Sequence, residues 1–194
     1  MKMLGLVIAV STLLSSGVAA AQAWQFDKSH TRVGFTVDHM GFSTVVGDFR
    51  QFEGAVQYDP KQPAALKVNF EIDTKSIDSG WAARDEHLRK AEFFNVEKFP
   101  KMTFTSTAVK VVSDTRSQVT GNLTLLGVTK PVTLEVTLNK TAINPITKLQ
   151  TAGITATTTI KRSDWGMTTY VPAVGDEIPV RIDAELTPAV TAQQ

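Results

Sequence analysis

The sequence predicts an all-β protein of antiparallel strands with one short helical insertion. Two observations support this fold class. Apolar and polar residues alternate with a period of two through most of the chain after Trp24, which is typical of strands with one buried and one solvated face. Parallel strands buried on both faces would form continuous apolar runs instead, so the alternation favours antiparallel pairing.

The alternation predicts about eight strands, separated by turn residues. Asp59-Pro60, Pro63, Gly127 and Asn144-Pro145 mark the turns, and residues 123–138 are expected to form a hairpin around residues 127–130. Eight such strands fit either a sandwich or a closed barrel. A closed eight-stranded barrel is filled by its side chains or holds one small ligand, and periodicity does not choose between these interiors. In chain order the predicted strands are 33–37, 46–58, 66–72, 102–104, 119–125, 132–138, 154–160 and 178–186.

The helical insertion lies between Ile72 and Met102. Asp85 and Arg89 stand four residues apart in the acid-first order that stabilises a helix, and Asp78 or Ser79 is expected to cap its beginning. The segment is also rich in large aromatic residues. Two compatible interpretations follow: the insertion plugs one end of a barrel, or it forms a lid that lines an apolar ligand channel.

The N-terminal segment is typical of a secretory signal. Lys2 precedes the apolar residues 3–14, and small residues offer cleavage after residue 21 or 23. The apolar run is shorter than the ~20 residues of a membrane-spanning helix, and no later stretch of the mature chain is expected to cross a bilayer. We therefore expect residues 1–23 to be cleaved, residues 24–188 to form a single domain, residues 189–194 to form a flexible tail, and the protein to be periplasmic, or else secreted.

Composition excludes several functions. The 20 basic and 19 acidic residues leave a net charge of +1, which argues against a nucleic-acid partner. The absence of cysteine excludes disulfides, thiolate metal sites and a cysteine nucleophile. The three histidines lack metal-ligand spacing, and no nucleotide-binding or hydrolase motif is present, so we expect no metal, no cofactor and no catalytic residues.

A run of short motifs resembles the YceI-like family of exported, lipocalin-like bacterial proteins. The resemblance covers essentially the whole mature chain and depends on the order of many pieces. The matching motifs are WQFDKSH (24–30), VGFTVDHM (33–40), GDF (47–49), FEG (52–54), SIDSG (76–80), RDEHL (84–88), FF (93–94), FP (99–100), Phe104, ST (106–107), GNLT (121–124), GVTKPV (127–132) and RSDWG (162–166).

The resemblance implies an extended eight-stranded antiparallel β-barrel around a long apolar tunnel. It also implies binding of a polyisoprenoid or similar long-chain amphiphile, no known catalysis, and a homodimer as an expected assembly. The alternation predicts which apolar residues face inward, and these would line the tunnel that the resemblance implies or else pack as ordinary core. They are Phe35, Val37, Phe70, Ile72, Phe104, Leu123, Leu134, Val136 and Ile154. The mouth or lid candidates are Trp81, Phe93, Phe94 and Trp165, and the head-group candidates are His30, Arg84, Asp85, His87 and Arg162.

Three functions fit these features. The first is an exported soluble carrier or reservoir for an isoprenoid-like or other long-chain amphiphile. The second is a solid-core structural or stress-related interaction module of the envelope. The third is an enzyme that acts on a lipid head group, which requires the five head-group candidates to converge. For residues 162–166, a structural corner and a pocket mouth remain alternative interpretations.

Overall fold

The computed structural model describes residues 22–59 and 61–189. The predictions for the signal segment up to residue 21, for Pro60 of the first turn and for residues 190–194 of the tail lie outside the described residues. Within them, no helix has the length and apolar character needed to cross a bilayer.

The described chain forms strand segments and one short α-helix, as the alternation predicts. The helix, α1, covers Ala82–Leu88, and Arg162–Trp165 form a 3-10 turn. The strands are β1 (Gln22–Phe26), β2 (Arg32–His39), β3 (Ser43–Phe49), β4 (Phe52–Tyr58), β5 (Lys67–Asp73), β6 (Ile77–Asp78), β7 (Lys101–Ser113), β8 (Arg116–Leu125), β9 (Val128–Ile143), β10 (Gln150–Lys161) and β11 (Glu177–Pro188).

The strands close into an antiparallel barrel of eight. The ring runs β1-β4-β5-β7-β8-β9-β10-β11 and is closed by pairing of β1 with β11. β2 continues the line of β1 along β11, since Phe26 pairs with Leu186 and Val33 with Ile182. β3 pairs antiparallel with β2 at its side, and the short β6 pairs antiparallel with β3. The fold class expected from the resemblance is confirmed, and closure leaves the barrel with few free edges.

Two boundaries differ from the sequence expectation. The single strand expected over 46–58 is broken after Phe49, where the backbone N–H groups of Arg50 and Gln51 donate to the backbone carbonyl and the Oγ of Ser76 instead of to a ladder partner. The β8–β9 hairpin turns at Leu126 and Gly127, with φ of 52° and 76°, so residues 128–130 belong to β9. Two consecutive left-handed residues match the twist of a tight hairpin, which explains the glycine.

The beginning of α1 also differs from the expectation. Trp81 occupies the N-cap position without a side-chain hydrogen bond, so neither Asp78 nor Ser79 caps the helix. Asp85 accepts hydrogen bonds from the backbone N–H and Oγ of Ser79, at 2.8 and 2.5 Å. Because Asp85 is occupied in this way, Arg89 pairs with Glu86 at 2.8 Å instead.

Two apolar clusters pack inside the barrel. The smaller one consists of Trp24, Val56, Ala152 and Leu186, at the end where β1 begins and β11 ends. The larger one surrounds residues such as Ile77 and lies toward the opposite end. We call the first group the Trp24 cluster. Its packing closes one end of the barrel and leaves the other end to the helical insertion.

Candidate ligand cavity

A cavity of about 660 Å³ occupies the interior between the Trp24 cluster and the helical insertion. Its wall is formed by inward-facing residues of most barrel strands, which the period-two alternation directs to one face. Phe26, Val68 and Ile154 line the cavity and also pack against the Trp24 cluster. The cavity therefore has an apolar floor and is closed at that end.

The opposite end of the cavity reaches the protein surface. Exposed residues from three elements belong to its lining there, and they come from the β2–β3 hairpin, the segment before α1, and the loop of residues 166–176. These residues are His39, Ser43, Trp81 and Tyr170. We call this end of the barrel the mouth.

Most predicted tunnel residues line the cavity. They are Phe35, Val37, Phe70, Ile72, Phe104, Leu123, Leu134 and Ile154. The structure does not place Val136 in the lining. Val136 lies two residues beyond Leu134 on β9 and packs, half-buried, against the larger apolar cluster. Contact of the lining residues with a ligand stays a prediction.

The predicted mouth residues divide into two groups. Trp81, Phe93 and Phe94 line the cavity, and the ring of Phe93 packs beside that of Tyr170, with 6.2 Å between the ring centroids. Trp165 is not in the lining. Its side chain is 3% exposed within the wall and its Nε1 donates to the carbonyl of Leu123 at 3.3 Å. It follows β10 in the 3-10 turn, which directs the indole into the core.

The predicted head-group residues do not form one cluster. Arg84 and His87 line the cavity near the mouth, but they have different partners. Arg84 donates to the Oγ and carbonyl of Ser79, at 2.8 and 2.6 Å. His87 lies 2.8 Å from Glu92, and the hydrogen bond between them lowers the pKa of the Glu92 carboxyl.

Asp85 and His30 lie outside the cavity lining. Asp85 is buried, with its carboxylate bonded to Ser79. His30 sits between β1 and β2, with Nδ1 at 2.9 Å from Asp27. Hydrogen bonds from Ser29 and then from His30 lower the pKa of Asp27 to about 2, and the same contact raises the pKa of His30.

Arg162 lines the cavity but its guanidinium is used by the loop beside it. Its Nε donates to the carbonyl of Gly175 at 2.9 Å. Its two terminal nitrogens donate to the carbonyls of Met167 and Val174, at 3.0 and 2.9 Å. Only 5% of the residue is exposed, and this burial lowers its pKa. Arg162 thus holds the loop of residues 166–176 in place, which supports the structural-corner interpretation of its motif.

The sequence pattern does not predict several of the residues that line the cavity. Met167, Tyr170 and Val174 come from the loop held by Arg162, which has no periodicity to predict an inward side chain. Ile178 and Val180 also line the cavity, and their alternation on β11 was a usable signal. The inward position of the three loop residues is visible only in the tertiary structure.

One cluster of potential metal ligands was also missed. Asp27, His30 and Glu185 each place a ligand atom within 4.8 Å of the others. Glu185 comes from β11, and it reaches the other two because the backbone N–H of Asp27 donates to its carbonyl at 2.8 Å. No spacing in the sequence predicts such a long-range contact. The hydrogen bonds of Asp27 to Ser29 and His30 already occupy both its carboxylate oxygens.

Fold and cavity together define a closed, eight-stranded β-barrel with an apolar interior that opens at one end. Residues 24–186 match the model of the YceI-like domain. The chain belongs to the YceI-like family. It is 44% identical over 185 residues to Protein YceI of Salmonella arizonae and, equally, of Salmonella dublin, covering 94% of this chain and 95% of each relative.

Solved structures share the fold. BcnA of Burkholderia cenocepacia superposes with a TM-score of 0.74 at 24% identity, over 82% of this chain and 98% of that one. The YceI protein of Campylobacter jejuni superposes with a TM-score of 0.68 at 27% identity, over 78% of this chain and 90% of that one. A third structure is a polyisoprenoid binding domain from Saccharophagus degradans, implicated in plant cell wall breakdown. It superposes with a TM-score of 0.66 at 16% identity, over 87% of this chain and 99% of that one.

Proposed function

We propose that this protein binds a long-chain isoprenoid-like or other amphiphilic lipid in the barrel cavity and acts as an exported carrier or reservoir. The observation that carries the proposal is the apolar cavity of about 660 Å³. At ~30 Å³ for a water-sized group, this volume holds roughly twenty such groups. It falls within the range of small-molecule sites and suits a folded or extended hydrocarbon chain.

The distribution of polarity supports an amphiphile. The floor and wall of the cavity are mostly aliphatic and aromatic, with Thr158 and Arg162 as polar exceptions, whereas Ser79, Arg84, His87 and Tyr170 lie near the mouth. A tail would occupy the interior and a polar head would lie among these groups. Each buried CH₂ contributes ~0.8 kcal/mol, so a tail of about fifteen carbons gains roughly 12 kcal/mol before the costs of association.

Three further observations support this function over its alternatives. A solid-core module requires a filled interior, which does not agree with the cavity. An enzyme requires the head-group candidates to gather around one reacting centre, whereas His30 and Asp85 lie outside the lining. The Saccharophagus domain, whose fold this chain shares, is described as polyisoprenoid binding.

The proposal of export depends on the predicted signal segment. The proposal of a homodimer depends on the family resemblance, and light scattering in solution tests it.

The test is extraction of the purified protein with organic solvent, followed by mass spectrometry against a mock purification. We expect a stoichiometric long-chain lipid from the native protein, purified from the periplasm of its source. Phe104→Arg places a charge on the cavity wall and should abolish retention, whereas Thr105→Arg places it on the exposed outer face of β7 and should not.

Folding is checked by circular dichroism, because Phe104 is buried. If Phe104→Arg unfolds, Val37→Arg replaces it, since Val37 is half-buried near the mouth and a long arginine reaches solvent there. A folded cavity variant with full lipid occupancy, or a native protein without lipid, would overturn the proposal.

A further inference from the structure

Large apolar side chains are exposed around the mouth of the cavity. They are Met40 (49% exposed), Phe42 (88%), Trp81 (63%) and Tyr170 (58%), and we call them the mouth rim. They come from three separate elements: the β2–β3 turn, the residue before α1, and the loop of residues 166–176. A group of exposed large apolar side chains around the opening of an apolar cavity is typical of an interaction surface.

The mouth rim is continuous with the cavity. Trp81 and Tyr170 belong to the cavity lining themselves, and His39 and Ser43, which flank the β2–β3 turn, also line it. The turn and the loop are joined, because His39 forms a β-bridge with Val174. The apolar surface therefore extends from the interior outward across the opening.

Hydrogen bonds within the β2–β3 turn define its backbone conformation. The backbone N–H of Gly41 donates to the Asp38 carboxylate at 2.9 Å, and that of Phe42 donates to the carbonyl of His39 at 3.0 Å. Met40 and Gly41 adopt left-handed φ angles of 58° and 72°. These bonds define the turn, and Phe42 at its tip is 88% exposed.

Charges of both signs lie beside the mouth. Arg89 pairs with Glu86, Glu92 accepts a hydrogen bond from His87, and the remaining Arg84 and Asp38 carry opposite charges. Residues 40–44 carry no charge. The mouth thus presents apolar and aromatic groups with little net field, which suits insertion among lipids more than attraction to an oppositely charged partner.

We propose that the mouth rim inserts into the surface of a phospholipid bilayer, so that the cavity opens directly onto the lipid layer. Tryptophan and tyrosine favour the boundary between head groups and acyl chains, and a phenylalanine at the tip of a turn enters the apolar layer. The cargo that would pass through this opening is that of the proposed function. The docking itself involves only the mouth rim.

The experiment measures binding to phosphatidylcholine vesicles by co-sedimentation, without added cargo. Phe42→Ser should weaken the vesicle affinity about tenfold or more, since it removes a large inserted side chain. Ile146→Ser is the matched control, because Ile146 is 87% exposed in the β9–β10 turn at the other end of the barrel. It should leave the affinity unchanged, and anionic lipid should add little.

Trp81 supplies a second readout. Its exposed indole should shift to shorter emission wavelengths when vesicles are added, whereas Trp24 and Trp165 are 7% and 3% exposed and report little. The docking proposal is overturned if the native protein leaves the vesicles in the supernatant, or if Ile146→Ser weakens binding as much as Phe42→Ser. Lipid extraction of the native protein separates the two proposals. Absent lipid refutes the proposed function and leaves docking standing, whereas native protein that holds lipid but does not bind vesicles overturns docking alone.

Discussion

Replacing Arg162 by alanine should destabilise the barrel strongly, because one buried guanidinium satisfies three backbone carbonyls of the loop of residues 166–176. A hydrogen bond from a charged donor contributes about 1.5–3 kcal/mol. Three of them give roughly 5–9 kcal/mol. Half-buried Val174 and Gly175 regain water in the variant, whereas the carbonyl of buried Met167 loses its donor, so we expect a loss of about 3–5 kcal/mol in the free energy of unfolding.

The assay is urea unfolding followed by tryptophan fluorescence and circular dichroism, with linear extrapolation to water. Arg181→Ala is the matched control, since Arg181 is exposed and bonded to Asp183 at 2.7 Å. Exposed pairs contribute about 1 kcal/mol or less. Hydrogen exchange should also accelerate for residues 167–175 in Arg162→Ala. Equal destabilisation by the two alanine variants would refute the assignment of Arg162 as the residue that holds the loop.

Two further changes test the turn after β1 and the cavity wall. His30→Ala removes a hydrogen bond to Asp27, so the pKa of Asp27 should rise from about 2 toward its usual 3.8, as followed by carboxyl NMR. The lowered pKa of Asp27 and the raised pKa of His30 mean that the pair stabilises fully between about pH 3.8 and 6.5. This stabilisation is lost as pH falls toward 2 or rises through the raised His30 value; an unchanged stability–pH profile in the variant would contradict it. Gly47→Ala should cost about 1–3 kcal/mol in urea unfolding, because the new Cβ overlaps the ring of Phe35 on the cavity wall. Gly153→Ala, whose nearest neighbour would lie at 4.0 Å, should change little, and equal effects of the two glycine variants would rule out the packing explanation.

Much of the cavity wall was predictable because strand side chains alternate. Phe35, Phe70 and Phe104 sit on the apolar face of their strands, and a closed sheet directs that face inward. The same rule misplaced Val136, which shares the face of Leu134 but lies beyond the cavity lining. Alternation specifies the face of a residue, and the volume enclosed along the barrel specifies whether that face meets a cavity or packed atoms.

The polar candidates were harder to predict because their partners are distant in the sequence. The sequence is compatible with Arg162 at a corner or beside a head group, and its bonds to Met167, Val174 and Gly175 favour the corner. His30 and Asp85 were grouped with Arg84 because each is a polar residue in a family motif. Their hydrogen bonds place them in separate local networks.

The sequence by itself determined the all-β class, the inward face of most strands, the position of the helical insertion and the family. These depend on local periodicity and on the order of short motifs, which are readable along one chain. The tertiary structure decided that β1 pairs with β11 to close the barrel, that the Trp24 cluster seals one end, and that three separate loops meet around an open mouth. Such features depend on contacts between residues far apart in sequence, whose geometry no local pattern specifies.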